Sequence, residues 1–100
     1  MGLTITLEGE DGRKYEEIAD SANVLHRVLP PANDPSSSVL RFIDWYGDTA
    51  FNQLQIPSFL SEWATLRPKV PEDRSLLDRV AALARRVEKD PHLYLKFYGD

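Results

Sequence analysis

The chain has 100 residues, 42% of them apolar and 28% charged, with a net charge of −4. That size supports one hydrophobic core and one domain, residues 1–100, and that balance excludes a disordered chain. The absence of cysteine excludes disulfides and thiolate metal centres, and no apolar run approaches the ~18 residues of a membrane span.

The charge is unevenly laid out. Residues 1–50 hold nine Asp or Glu and four Lys or Arg, whereas residues 51–100 hold seven and eight. An acidic front half repels phosphates and suits a basic protein surface. The expected partner is another protein, with no nucleic acid and no membrane. Met1 to Glu8 lacks the basic start and apolar core of a secretion signal, so a soluble cytoplasmic chain is expected. Thr6 falls where a myristoylation pattern wants Ser or Thr, but the strand-like flanks and missing basic cluster make that a chance match.

Leu3, Ile5 and Leu7 alternate with Thr4, Thr6 and Glu8, the period of a half-buried strand. Glu8 to Gly12 reads as a turn, and Arg13 to Ile18 as a charged returning edge strand with Tyr15 its main apolar residue. Asp20 or Ser21 is placed to cap a short helix whose face is Val24, Leu25, Val28 and Leu29. Pro30-Pro31 ends it, and residues 30–38 form a surface loop.

The densest apolar stretch, Val39 to Leu54, reads as a buried hairpin around which the rest is arranged. Its first arm points Val39, Arg41, Ile43 and Trp45 one way and Leu40, Phe42, Asp44 and Tyr46 the other. Gly47-Asp48 is expected to form the two-residue connection, with Gly at positive φ. Pro57 suits the first turn of a helix lined by Phe59, Leu60, Trp63 and Leu66. Pro71-Glu72-Asp73 opens a longer helix with Leu76, Leu77, Val80, Leu83, Ala84 and Val87 in one stripe. After Asp90-Pro91, His92 to Tyr98 alternates again, with Leu93, Leu95 and Phe97 inward. The predicted class is α+β, a mainly antiparallel sheet of about four to five strands in the order β-β-α-β-β-α-α-β, covered by helices.

Catalytic motifs are missing: there is no nucleophile elbow, phosphate loop, dinucleotide fingerprint or zinc-protease pair. His26 and His92 have no visible nucleophile partner. No catalytic residue, metal ligand or cofactor is expected. Asp44 and Asp48 bracket the expected turn as a carboxylate pair, read as strand and turn residues in preference to an ion site. Arg85, Arg86 and Lys89 fit the negative end of a helix dipole better than a phosphate patch. Trp45, Tyr46, Tyr94 and Tyr98 are the aromatic candidates for an interface, because amphipathic rings bury much area at little entropic cost.

The segments Leu-Arg-Phe-Ile-Asp-x-Tyr-Gly-Asp-Thr-x-Phe-Asn (residues 40–52) and His-Leu-Tyr-Leu-Lys-Phe (residues 92–97) resemble a group of small bacterial proteins of no established activity. The resemblance covers most of the chain and transfers no catalytic residues. It implies a stand-alone bacterial domain. The functional expectation is a non-enzymatic protein-binding module, most concretely an immunity- or antitoxin-like protein masking a basic surface. Asp44, Trp45, Tyr46 and Asp48 form its face, extended by Glu8, Glu10 and Asp11. One alternative is a small metal-dependent or acid–base enzyme using Asp44 and Asp48. A second is a self-associating structural domain with Tyr94 and Tyr98 on an exposed strand edge, the chain being a monomer or homodimer.

Overall fold

Apolar residues at every second position of two distant segments pair those segments into one sheet. The computed structural model describes residues 2–99. It contains β1 (Thr4–Gly9), β2 (Lys14–Ala19), α1 (Val24–Val28), β3 (Asp48–Phe51), α2 (Ile56–Ala64), α3 (Arg74–Glu88) and β4 (Leu93–Tyr98). Short 3-10 turns lie at Leu40–Phe42, Arg67–Lys69 and Pro71–Asp73. The four strands are antiparallel in the order β2-β1-β4-β3. The fold is α+β, as the sequence predicts.

Strand β1 is central because both its neighbours match its pattern. Ile5 faces Ile18 on one side and Phe97 on the other, and Leu7 faces Leu95. Their apolar face packs on α2 and α3, which supply Phe59, Trp63, Leu77, Val80, Ala84 and Val87, all buried. Phe59 stacks on Trp63 with centroids 5.0 Å apart, and Phe51 meets Phe97 edge-on at 5.9 Å. Each such side chain contributes about 1.5–3 kcal/mol by leaving water. The Trp63 indole still needs an acceptor, and its Nε1 donates to the Leu77 carbonyl at 2.9 Å.

The first hairpin follows its sequence. Gly12 adopts φ 85°, the left-handed conformation that glycine enters without a Cβ clash. β2 is an edge strand whose side chains are exposed apart from Ile18, and its charges oppose pairing with another chain. The N-cap position of α1 is Asn23, and the Asp20 side chain, not Ser21, meets the first free amides of the helix. Its buried carboxylate accepts from the Val24 and Leu25 amides, both at 2.8 Å.

The central hairpin does not form. Residues 39–46 are not a strand: Leu40–Phe42 is a 3-10 turn, and 45–47 turn again before β3. Ile43 is buried, but Phe42 is 59% exposed. The cause lies on α2. The Glu62 carboxylate accepts from the Ser37 hydroxyl at 2.5 Å and the Ser38 and Val39 amides at 3.0 and 2.8 Å. The Leu40 amide is also within 3.4 Å. A fixed anion gathering successive amides bends the backbone, and those donors are then lost to a sheet ladder. β3 pairs with β4 instead, Phe51 opposite Leu95. Gly47 has no positive φ among the described residues; a Cβ there would lie 2.8 Å from an Asp44 carboxylate oxygen. Leu54, placed on the second arm by sequence, is 86% exposed in the turn before α2.

Candidate recognition surface

Helices cover only one face of the sheet. By register, the other face carries Thr4, Thr6 and Glu8 from β1, Glu17 from β2, Tyr94, Lys96 and Tyr98 from β4, and Asp48 and Ala50 from β3. Alternation puts these polar residues outward as a direct consequence of the inward Ile, Leu and Phe.

At the centre of that face, Glu8 is only 4% exposed. The Thr6 hydroxyl donates to its Oε2 at 2.6 Å, the Tyr98 hydroxyl donates to the same oxygen, and Lys96 Nζ lies 3.4 Å from Oε1. Burial by itself pushes the Glu8 carboxyl up. The bonds from Thr6 and Tyr98 and the Lys96 charge outweigh it, so the group sits below its ordinary value. Tyr98 is pushed up to about 12, first by its hydrogen bond to Glu8 and then by burial. Lys14 Nζ stands 5.9 Å from the centre of the Tyr98 ring and 3.3 Å from Glu17. The Tyr98 ring is thus held in one orientation at its hydroxyl and on its face. Beside it, a shallow cavity of about 320 Å³ is lined by Gly9, Glu10, Gly12, Ala50, Tyr94 and Lys96.

The six interface candidates divide. Asp48, Tyr94 and Tyr98 share the open face, with Asp48 directly opposite Tyr98. Tyr46 stands in the adjoining turn, 85% exposed. Asp44 and Trp45 serve the fold. The Asp44 Oδ1 accepts from the Tyr46 amide at 2.8 Å, and the Asp44 amide donates to Thr49 Oγ1 at 2.8 Å. Trp45 is half-buried against the core and meets the His26 ring edge-on at 5.5 Å. The 44–47 turn is tied to the end of β4 by Gly99 N–H donating to the Gly47 carbonyl at 2.8 Å. Tyr94 and Tyr98 are not on a sheet edge, because β4 lies between β1 and β3. Their rings face out of the sheet plane.

No known relative decides the matter. The chain matches no family model, no curated protein and no solved structure. The resemblance carried by residues 40–52 and 92–97 rests on those residues alone.

Among the described residues, no three His, Cys, Asp or Glu come close enough together to hold a metal ion. Nor is any helix among the described residues long and apolar enough to cross a membrane. His92 Nδ1 lies 2.9 Å from Glu10 Oε1, and the Arg86 guanidinium reaches Glu16 at 3.3 Å, joining α3 to β2. Sequence reasoning missed Thr6, Lys14 and Lys96 as parts of the surface. Their outward phase was readable, but their meeting with Tyr98 required β1 to pair with β4 across most of the chain.

Proposed function

We propose that this chain is a non-enzymatic protein-binding module whose recognition surface is the open sheet face and the adjoining 44–48 turn. The observation that carries this reading is the ordered tyrosine–carboxylate array: Tyr98 locked on Glu8, with Asp48 and Tyr94 on the same face and Tyr46 beside it. Orienting these rings before binding lowers the entropy lost on association, and tyrosine is a frequent anchor at interfaces. The carboxylates Glu8, Glu10, Glu17 and Asp48 outnumber Lys14 and Lys96, which suits a basic partner. The concrete form is an immunity- or antitoxin-like protein of a bacterial cytoplasm, covering the basic surface of another protein.

The test compares immobilised wild type with a Tyr46→Ala/Asp48→Lys variant in bacterial cytosolic extract, with bound proteins identified by mass spectrometry. A basic protein retained by wild type, released by salt and lost by the variant supports the reading. An identical bound set for the two chains overturns it.

A further inference from the structure

The helical layer carries a second surface of opposite character. α2 and α3 run antiparallel: Gln53 Nε2 bonds to the Glu88 carbonyl at 3.0 Å, Trp63 to Leu77, and Arg67 to Asp78. Leu60 and Ala64 lie one turn apart on α2, with Arg67 opening the 3-10 turn beyond it, and Leu77, Ala81 and Arg85 follow one another at helical spacing on α3. Small alanines at the facing positions leave a groove of about 380 Å³, floored by Trp63 and walled by Leu60, Ala64, Leu77 and Ala81. It continues past Ala64 and Arg67 into a shallower hollow beside Pro68, Pro71 and Arg74.

The rim is basic although the protein is acidic. Arg67 makes two bonds to Asp78, Nε to Oδ1 at 2.9 Å and Nη2 to Oδ2 at 3.3 Å. That is one carboxylate for three guanidiniums. Arg74 Nε is turned to the Pro71 carbonyl at 3.0 Å, and neither Arg74 nor Arg85 has an ion-pair partner among the described residues. An apolar trough whose rim sets three arginines against the single carboxylate of Asp78 is complementary to a segment with apolar anchors on one side and carboxylates flanking them. From Leu77 to Arg85 the groove runs about 12 Å, which accommodates roughly two turns of an incoming helix.

We propose that the α2–α3 groove docks an acidic amphipathic helix of a partner protein, its apolar residues seated on Leu60, Ala64 and Ala81 and its carboxylates on Arg85 and Arg74. This site lies on the helical layer, away from the open sheet face, and stands or falls independently of it. Two surfaces of opposite charge would let one chain bridge two partners.

The test uses the isotope-labelled full chain and three synthetic peptides. The first has leucines at i, i+4 and i+7 flanked by glutamates; the second has lysines for the glutamates; the third has serines for the leucines. The acidic peptide is expected to shift the Ala64, Ala81 and Arg85 amides and to bind about tenfold tighter than either control. Arg85→Glu is expected to remove the preference over the lysine peptide. Ala64→Tyr, at an exposed position, is expected to plug the groove, with circular dichroism unchanged in both variants. Asp48→Lys should leave peptide binding untouched. Equal affinity for the acidic and lysine peptides, no binding by any peptide, or shifts on the sheet face would overturn the proposal. So would the same amide shifts produced by inorganic phosphate alone, or by raising the protein concentration alone, which would assign the groove to an anion or to a second copy of this chain.

Discussion

At the scale of single residues, three buried or half-buried carboxylates do most to define the local structure, and each does so by accepting hydrogen bonds. Asp20 holds two amides at the start of α1, and Asp20→Ala should cost about 1–2 kcal/mol in urea unfolding. Glu62 holds the 37–40 bend; Glu62→Ala leaves its donors without an acceptor and should cost about 2 kcal/mol. Hydrogen exchange in residues 37–42 should rise more than in α3. Glu8 differs in that it faces a phenol. Tyr98 is pushed up to about 12 by its bond to Glu8, and Glu8→Gln should bring its phenolate step, followed by absorbance, down towards 10. A tyrosine whose folded value is raised contributes stability that is fully present below 10 and is lost as pH rises through about 12. A tyrosine titration unchanged by Glu8→Gln would contradict the hydrogen bond.

At the scale of elements, the helices and strands whose apolar spacing is self-consistent all formed. β1, β4, α2 and α3 are each specified by a periodic stripe that can bury only one way; Pro57 sits in the first turn of α2, and Pro71 starts the 3-10 turn that leads into α3 at Arg74. The segment 39–47 has no period of its own, since large apolar groups occupy both phases. It therefore follows its surroundings, and Glu62, more than twenty residues away, bends it. Trp45 shows the same dependence. Its packing on His26 means that Trp45→Ala should lower the melting temperature as well as any binding, whereas Tyr46→Ala should leave melting unchanged. Thermal scans of the two variants separate these outcomes.

At the scale of the whole molecule, the sheet separates two environments: an apolar core roofed by helices and an open face whose charges are largely paired. The carboxyls of Glu8, Asp34 and Asp78 are all held below their ordinary values. For Glu8 the hydrogen bonds overcome burial; for Asp34 the bonds from Ser36 dominate, and for Asp78 those from Arg67. Lowered folded values mean that this stabilisation is complete above the ordinary carboxylate range of 3.8 to 4.5 and is lost as pH falls through the folded values. Urea midpoints should stay level from neutrality to about pH 5 and then decline. Glu8→Gln should flatten part of that decline. A midpoint falling steadily between pH 7 and 5 would show that other groups control acid stability.

The sequence alone determined the class of fold, the two outer helices of the core layer, the charged edge strand, and the phase of Thr4 to Glu8 on β1 and of the residues on β4. Those properties depend on local periodicity and on which backbone donors proline removes, and both can be read along the chain. The tertiary structure decided which strands became neighbours, and with that which outward residues met. Glu8 and Tyr98 lie 90 residues apart, and Glu62 reaches back to Ser37; such pairings depend on how the sheet closes. The candidate surface was therefore half legible. Asp48, Tyr94 and Tyr98 could be named in advance, but the lysines and threonine that hold the tyrosine in place became its neighbours only once β1 lay beside β4.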